Sequence, residues 1–278
     1  SYRFQIASFL YKAHYRIVIT TDQLRHPDLD EAMIKMAAPE QALAMEPRSW
    51  SKYDAQLNAN RQIYSRLFDS GPDRLDKIVR WNNFANWLTG KDLPPPKVQI
   101  DPNIISKKQG LKTSDVFIQP FSAISYKQSP VDFYRSIIEA LPKGTSVAIT
   151  GTSSDLINNP QFRELLELPG VTFNAATFEE LIPDLKVAKL MISVDTAAMH
   201  LAAAVGTPTL CLASAAFVGE IVPYAQEVMP DNLHVIYKSM DCEGCLGKCH
   251  FQPVDNMYPC VAALDDKLVV SKALELLE

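Results

Sequence analysis

The residues best placed to do chemistry lie in one run, Ile192-Ser193-Val194-Asp195-Thr196-Ala197-Ala198-Met199-His200. An apolar stretch ends at Val194, an Asp–Thr pair follows, and an Ala-rich segment runs on to Gly206 with Pro208 just beyond. That order predicts a strand, a turn and a helix over Thr196–Val205, stopped by the glycine and proline. The free N–H groups of such a helix start, with the helix dipole behind them, suit a phosphate. Asp195 stands where its carboxylate either caps the helix or binds hydroxyls. Thr196 and His200 are four apart and share a face. The plainer alternative leaves Asp195 as an N-cap and His200 as a satisfied core residue.

A second cluster is Cys242, Cys245, Cys249 and Cys260, spaced C-x2-C-x3-C-x10-C, with His250 beside the third. Four thiolates on a loop can close a tetrahedral site around zinc or iron. Two disulfides or four free thiols are the alternatives. In each case the role is structural, stapling a long loop before the last helix, and His250 is a candidate to replace one cysteine as ligand. Cys211 falls inside an apolar run and reads as a buried small residue.

The elements that must position these groups follow from period and punctuation. Short apolar runs end at Gln119, Thr150, Asn174, Val194, Ala213 and Tyr237, and helical patterns separate them. Helices are expected from Ser129-Pro130 to about Leu141, over Asn159–Leu168, over Phe178–Leu185 and over Asp265–Leu277, with Gly151-Thr152-Ser153-Ser154-Asp155 as an exit loop. Strands of this length alternating with helices mean βαβ units and a parallel sheet, which binds ligands at the carboxyl ends of its strands. The loops after Gln119, Thr150 and Val194 should therefore hold the chemistry. The front third reads as more helical. Strands are expected at Arg16–Thr21, Ala42–Met45 and Lys97–Asp101, and helices at Asp30–Ala38, Asp54–Phe68 and Asp73–Leu88. Two or three strands are few for a parallel α/β domain, so the chain reads as beginning part-way through one. The polar segment Asp101–Ser114 is the candidate linker, dividing the chain into domains 1–105 and 106–278.

Composition bounds the function. The 278 residues are 47% hydrophobic and 21% charged, the balance of a globular protein with real cores. Residues 1–105 carry 14 Lys/Arg against 12 Asp/Glu, and 106–278 carry 13 against 20. A net charge of −5 argues against a nucleic-acid surface. No apolar run approaches the roughly 18–20 residues of a membrane span. The opening residues show no secretory pattern, and five cysteines are too few for a disulfide framework, which points to a reducing, cytoplasmic setting. Neither G-x-G-x-x-G nor G-x-x-x-x-G-K-[ST] occurs, against a dinucleotide-dependent epimerase or a P-loop kinase.

The stretch SVDTAAMHLAAAVGTPTLCL (193–212) is similar to the D-T-G-x-x-H-L-A-A-A-L-G-x-P signature of glycosyltransferase family 9, the ADP-heptose:lipopolysaccharide heptosyltransferases. Phe117–Pro130 (FIQPFSAISYKQSP), Ala148–Asp155 (AITGTSSD), Phe178–Asp195, and Cys242–Cys260 with the last helix resemble further family segments. His14–Thr21, Ile63–Phe68 and Arg80–Gly90 match only loosely. The resemblance implies an α/β fold of GT-B architecture, two Rossmann-like domains with parallel sheets, the N-terminal one incomplete here. It implies an inverting, metal-independent glycosyltransferase that takes a sugar from a nucleotide-diphosphate donor such as ADP-heptose. The acceptor would be a glycan or a glycolipid of the lipopolysaccharide type, with at most peripheral contact at the inner membrane face. Ser122 and Lys127 would bind the diphosphate, with Lys127 stabilising the leaving group. Asp155, at the turn opened by Gly151, would take ribose hydroxyls, and Asp195 hydroxyls of sugar or ribose. Thr196 and the Ala197 N–H would meet phosphate, and His200 would support the turn. No cofactor for catalysis is implied, only a structural zinc or iron at the cysteines.

Two departures stand out. Ala197 replaces the family's glycine, and the acidic base of the family is expected upstream of Ser1. Asp22 follows a strand but does not match that base, so none is assigned. Both departures keep open a non-catalytic protein that uses the nucleotide pocket for binding or assembly.

Overall fold

The computed structural model describes residues 2–101 and 114–278 and divides into two compact units, Ser1–Pro95 and Pro96–Glu278. The linker expected over Asp101–Ser114 lies, apart from its two end residues, outside the described residues.

The first unit holds a three-stranded parallel sheet in the order β1 (Ile17–Thr20), β2 (Gln41–Met45), β3 (Arg66–Phe68). Its helices are α1 (Tyr2–Lys12), α2 (Ala32–Ala37), α3 (Asp54–Asn60) and α4 (Lys77–Thr89). Ala42 and Ala44 of β2 pack with Ile34 and Tyr64. The expected helix over Asp54–Phe68 stops at Asn60, and its end becomes β3. The reason is pairing: Ser65 N donates to Ala42 O at 2.8 Å and Ala42 N donates to Ser65 Oγ at 3.2 Å, so the extended chain joins the sheet. Lys97–Asp101 forms no strand either. Val98 N donates to Val228 O at 3.0 Å and Ile100 N to Ala204 O at 2.8 Å, a turn and a helix end rather than a neighbouring strand. α4 starts later than expected because Asp76 caps it, accepting from Ile78 N and Val79 N.

The second unit holds a six-stranded parallel sheet built from β4 (Val116–Gln119), β5 (Val147–Thr150), β6 (Val171–Asn174), β7 (Leu190–Val194), β8 (Thr209–Leu212) and β9 (Leu233–Ile236). Its order is β6-β5-β4-β7-β8-β9. The helices are α5 (Val131–Ala140), α6 (Ser153–Asn158), α7 (Phe178–Leu185), α8 (Ala197–Val205), α9 (Pro259–Ala262) and α10 (Asp266–Glu275). Both faces are covered, which is why the strands are apolar without alternation. Val116, Ile118, Val147, Ile149, Leu190 and Ile192 face one core with Tyr134 and Ile137 of α5 and Val269 of α10. Phe117, Ala148 and Met191 face the other, against Leu181 and Leu185 of α7 and Ala198 and Ala202 of α8. The alanines let α8 lie close to the sheet.

Three local expectations change. Pro130, extended at ψ 158°, is the N-cap of α5, so the helix starts at Val131 rather than at Ser129-Pro130. The loop after β5 turns helical at Ser153 because Thr152 and Asp155 form a capping box. The segment Pro160–Glu167 is a 3-10 helix rather than α. Among the described residues, no helix is long and apolar enough to cross a membrane.

Candidate functional site

The chain runs outward from β4 through β5 to β6, returns to β7 beside β4, and then runs the other way to β9. The order reverses between β4 and β7, and such a reversal opens a crevice at the carboxyl ends of the two strands. Gln119 and Ser193 are paired across it, so the segments leaving the two strands share one rim. On one, a short 3-10 turn, Ser125–Lys127, carries the lysine inward. On the other, Asp195 follows β7 directly.

Lys127 Nζ lies 2.7 Å from Asp195 Oδ2, and both residues are buried, at 8% and 5% exposure. The second carboxylate oxygen lies 3.6 Å from His200 Nε2. His200 Nδ1 in turn shares a short hydrogen bond with the Tyr224 hydroxyl. The Lys127 ammonium also sits 5.0 Å from the centroid of the Phe217 ring, a cation–π contact. Burial alone would raise the Asp195 pKa. The facing His200 imidazole and the Lys127 charge and hydrogen bond outweigh it, and hold the carboxyl below its ordinary value. Asp195 is thus an ionised carboxylate between two nitrogen groups, not the helix cap.

The cap position of α8 belongs to Thr196, extended at φ −145°, and its side chain makes no capping bond. The Thr196 side chain thus leaves the first-turn N–H groups of α8 uncapped. Ala197 is exposed at this start, and its φ is not positive, so its methyl is accommodated without strain. A cavity of about 420 Å³ opens beside it. Of the residues singled out from the sequence, Ser122, Lys127, Gly151, Asp155, Asp195, Thr196 and Ala197 all line that cavity. His200 does not; it stands against Asp195 instead.

The wall at β5 depends on Gly151. A Cβ there would meet two carbons of the Phe121 ring at 2.7 and 2.9 Å and Asp155 Oδ2 at 3.2 Å. Phe121 is 2% exposed and packs edge-on against Phe162, so it has little room to yield. Asp155 Oδ2 accepts from Thr152 N at 2.7 Å and Thr152 Oγ1 at 2.8 Å, holding the carboxylate over the start of α6. Asp22, by contrast, accepts from Leu24 N in a tight turn of the first unit.

Sequence reasoning missed the floor of the cavity and the support behind it. Thr150 Oγ1 donates to Gln119 Oε1 at 2.6 Å, and Gln119 Nε2 donates to the Phe121 carbonyl at 3.2 Å. The rule that strand ends hold ligands pointed to Gln119 and Thr150. No local pattern pointed to Phe217 or Tyr224, which reach Lys127 and His200 from the loop after β8.

The cysteines form a separate centre. None of the five is disulfide-bonded. The sulfurs of Cys242, Cys245 and Cys249 lie within 4.8 Å of one another, with Cys242 and Cys249 at 3.9 Å. Cys260, the fourth cysteine of the expected set, lies at the start of α9 and packs in the same cluster as Cys249, outside the three-sulfur group. His250 is not in the close set either. Burial, the Cys249 hydrogen bond and the neighbouring sulfurs push the Cys242 thiol up to about 11. Such crowding disfavours thiolates without a cation, and an ion among them would reverse that.

The sequence matches the family model described as glycosyltransferase family 9 (heptosyltransferase) over residues 52–245. No curated protein matches it. Solved structures are similar throughout the chain. A family 9 glycosyl transferase from Veillonella parvula has a TM-score of 0.67 at 14% identity, covering 98% of this chain and 77% of that one. The Escherichia coli heptosyltransferase WaaC, with ADP, has a TM-score of 0.66 at 16% identity, covering 99% and 78%. The iron-containing dodecameric glycosyltransferase TibC of enterotoxigenic E. coli has a TM-score of 0.50 at 14% identity, covering 95% and 78%. At such identities the likeness establishes the α/β, GT-B-like fold.

Proposed function

Because this chain belongs to glycosyltransferase family 9, and is thus a glycosyltransferase, we propose that it moves a heptose-type sugar, with inversion, from a nucleotide-diphosphate donor to a hydroxyl of a glycan or glycolipid. The observation that carries this reading is the buried Lys127–Asp195 pair beside the uncapped start of α8, on the wall of the β4–β7 cavity. A pyrophosphate needs fixed positive charge that does not reorganise during reaction. Lys127 keeps two ammonium protons beyond the one given to Asp195, and the α8 N–H groups add their dipoles. In this reading the Lys127 ammonium and the α8 N–H groups together meet the charge of the leaving diphosphate.

In the reaction, the acceptor oxygen bonds to the anomeric carbon while the bond from that carbon to the diphosphate oxygen breaks. The leaving diphosphate takes the electron pair, and Lys127 and the α8 N–H groups stabilise it. A general base receives the acceptor proton. Ser122 supports the phosphates and Asp155 offers its second oxygen to ribose hydroxyls. Asp195 positions Lys127 and meets the sugar, and His200 holds Asp195. ADP in the WaaC structure makes an adenine nucleotide the first donor to try.

Calorimetry with ADP and ADP-heptose, paired with a donor-turnover assay, tests the reading. Lys127→Met should lower turnover by about 10²–10³-fold, the scale of a lost transition-state charge. Unchanged turnover would remove the assignment, and binding without turnover in the unaltered protein would restore the non-catalytic reading.

The cysteine cluster fits a structural zinc or iron ion held by Cys242, Cys245 and Cys249, with Cys260 of the same loop region as the fourth candidate ligand. When bound, the ion would cross-link the loop between β9 and α9. Iron is retained as a candidate because TibC is iron-containing.

A further inference from the structure

One group of side chains in the first unit has no part in the donor site. His26 lies in the loop after β1, and Trp50 and Tyr53 lie in the loop after β2, at the carboxyl rim of that unit's sheet. Their rings converge. The His26 and Tyr53 centroids are 4.5 Å apart, Trp50 and Tyr53 4.7 Å at 87°, and His26 and Trp50 5.9 Å at 90°. Trp50 nevertheless remains 40% exposed. Burial does not account for an indole held there.

The cluster is built rather than loose. Trp50 N donates to Asp54 Oδ1 at 2.7 Å, and Ser49 Oγ donates to Asp54 Oδ2 at 2.9 Å. His26 N donates to Asp30 Oδ2 at 2.7 Å, and its Nδ1 accepts from Asp28 N at 3.1 Å. Gln56 Nε2 donates to Asp28 Oδ1 at 2.7 Å. Arg48 N donates to Gln23 O at 3.0 Å, tying the two loops together. An aromatic platform is thus fixed among carboxylates and an amide that keep lone pairs for further donors.

That combination matches one ligand chemistry. A pyranose ring has an apolar face of C–H groups, which suits the electron-rich face of an indole, and a rim of hydroxyls, which suits carboxylates. A membrane surface fits worse. Interfacial aromatics work among lysines and arginines that meet anionic headgroups, whereas here the carboxylates of Asp30 and Asp54 bond the backbone N–H groups of His26 and Trp50 themselves, and Asp28 bonds Gln56 beside them.

We propose that His26, Trp50 and Tyr53 form a sugar subsite for the acceptor, in which a pyranose ring stacks on Trp50 and its hydroxyls bond Asp28 and Asp54. The proposal rests on the glycosyltransferase reading, since only a glycan acceptor needs such a site. It concerns the first unit alone, so ADP binding by the second unit reports separately on the donor site.

The test uses saturation-transfer NMR and tryptophan fluorescence, with methyl pyranosides of glucose, galactose and mannose and a lipid-free lipopolysaccharide core oligosaccharide as probes. Vesicles of phosphatidylethanolamine and phosphatidylglycerol (about 3:1) form the other arm. We expect saturable binding of at least one sugar probe, weakened about tenfold or more by Trp50→Ala or Tyr53→Ala. Trp50→Phe should recover much of it, and circular dichroism, melting and ADP affinity should stay unchanged. Sugar binding indifferent to Trp50→Ala and Tyr53→Ala would overturn the proposal. So would no sugar binding by the unaltered protein, or Trp50-dependent binding to vesicles alone. Loss of ADP binding by the unaltered protein would instead count against the donor site.

Discussion

The Lys127–Asp195 pair makes an asymmetric prediction about stability. Both groups are buried and 2.7 Å apart, so removing one leaves the other charged in a poor solvent. The two removals are not equivalent. Asp195 without Lys127 still faces the His200 ring, whose Nε2 lies 3.6 Å from its second oxygen. Lys127 without Asp195 keeps, among the described residues, the Phe217 ring 5.0 Å from its nitrogen. Losing one partner of a buried pair costs about 3–5 kcal/mol when the remaining charge is uncompensated. Asp195→Ala should therefore cost about 3–5 kcal/mol, and Lys127→Met about 1–3 kcal/mol because His200 compensates. The double variant Lys127→Met/Asp195→Leu, which leaves no orphan charge, should be more stable than Asp195→Ala. Urea unfolding with constant slope gives all three values. Equal costs for the two single variants, each below about 1 kcal/mol, would refute the reasoning and place the pair in effective solvent contact.

Gly151→Ala should destabilise by about 1–3 kcal/mol, since the new methyl would press on the wedged Phe121 ring, and should weaken ADP binding in calorimetry. Acid should weaken the fold through Asp195. Its folded pKa lies below the ordinary 3.8, so its contribution is whole above that value and is lost as pH falls through the folded pKa. Unfolding midpoints measured down to about pH 2 should show this component in the unaltered protein and not in Asp195→Asn. If Cys242, Cys245 and Cys249 hold an ion, elemental analysis of the purified protein should find zinc or iron near one per chain. Chelation or Cys245→Ser should then lower the melting temperature while ADP affinity holds.

The amino-acid sequence by itself determined what is local. Runs such as Leu190–Val194 read as buried strands because both sheet faces are covered, and the Asp–Thr turn before the alanines of α8 read as a helix start because that chemistry is contained in a few neighbouring residues. Gly206 marked the helix end, and Cys242–Cys249 are close enough in the chain to meet. Local pattern failed where a long-range bond outbid it: Arg66–Phe68 left a helical pattern because β2 offered partners. Tertiary structure alone decided the strand order, and with it the site. Lys127 and Asp195 stand 68 positions apart and meet only because β7 returns to the side of β4 rather than continuing beyond β6. The same holds for Phe217 and Tyr224 behind the pair, and for His26 beside Trp50. Periodicity and turn residues act over one or two turns of chain, whereas which strand lies beside which depends on how whole faces bury one another.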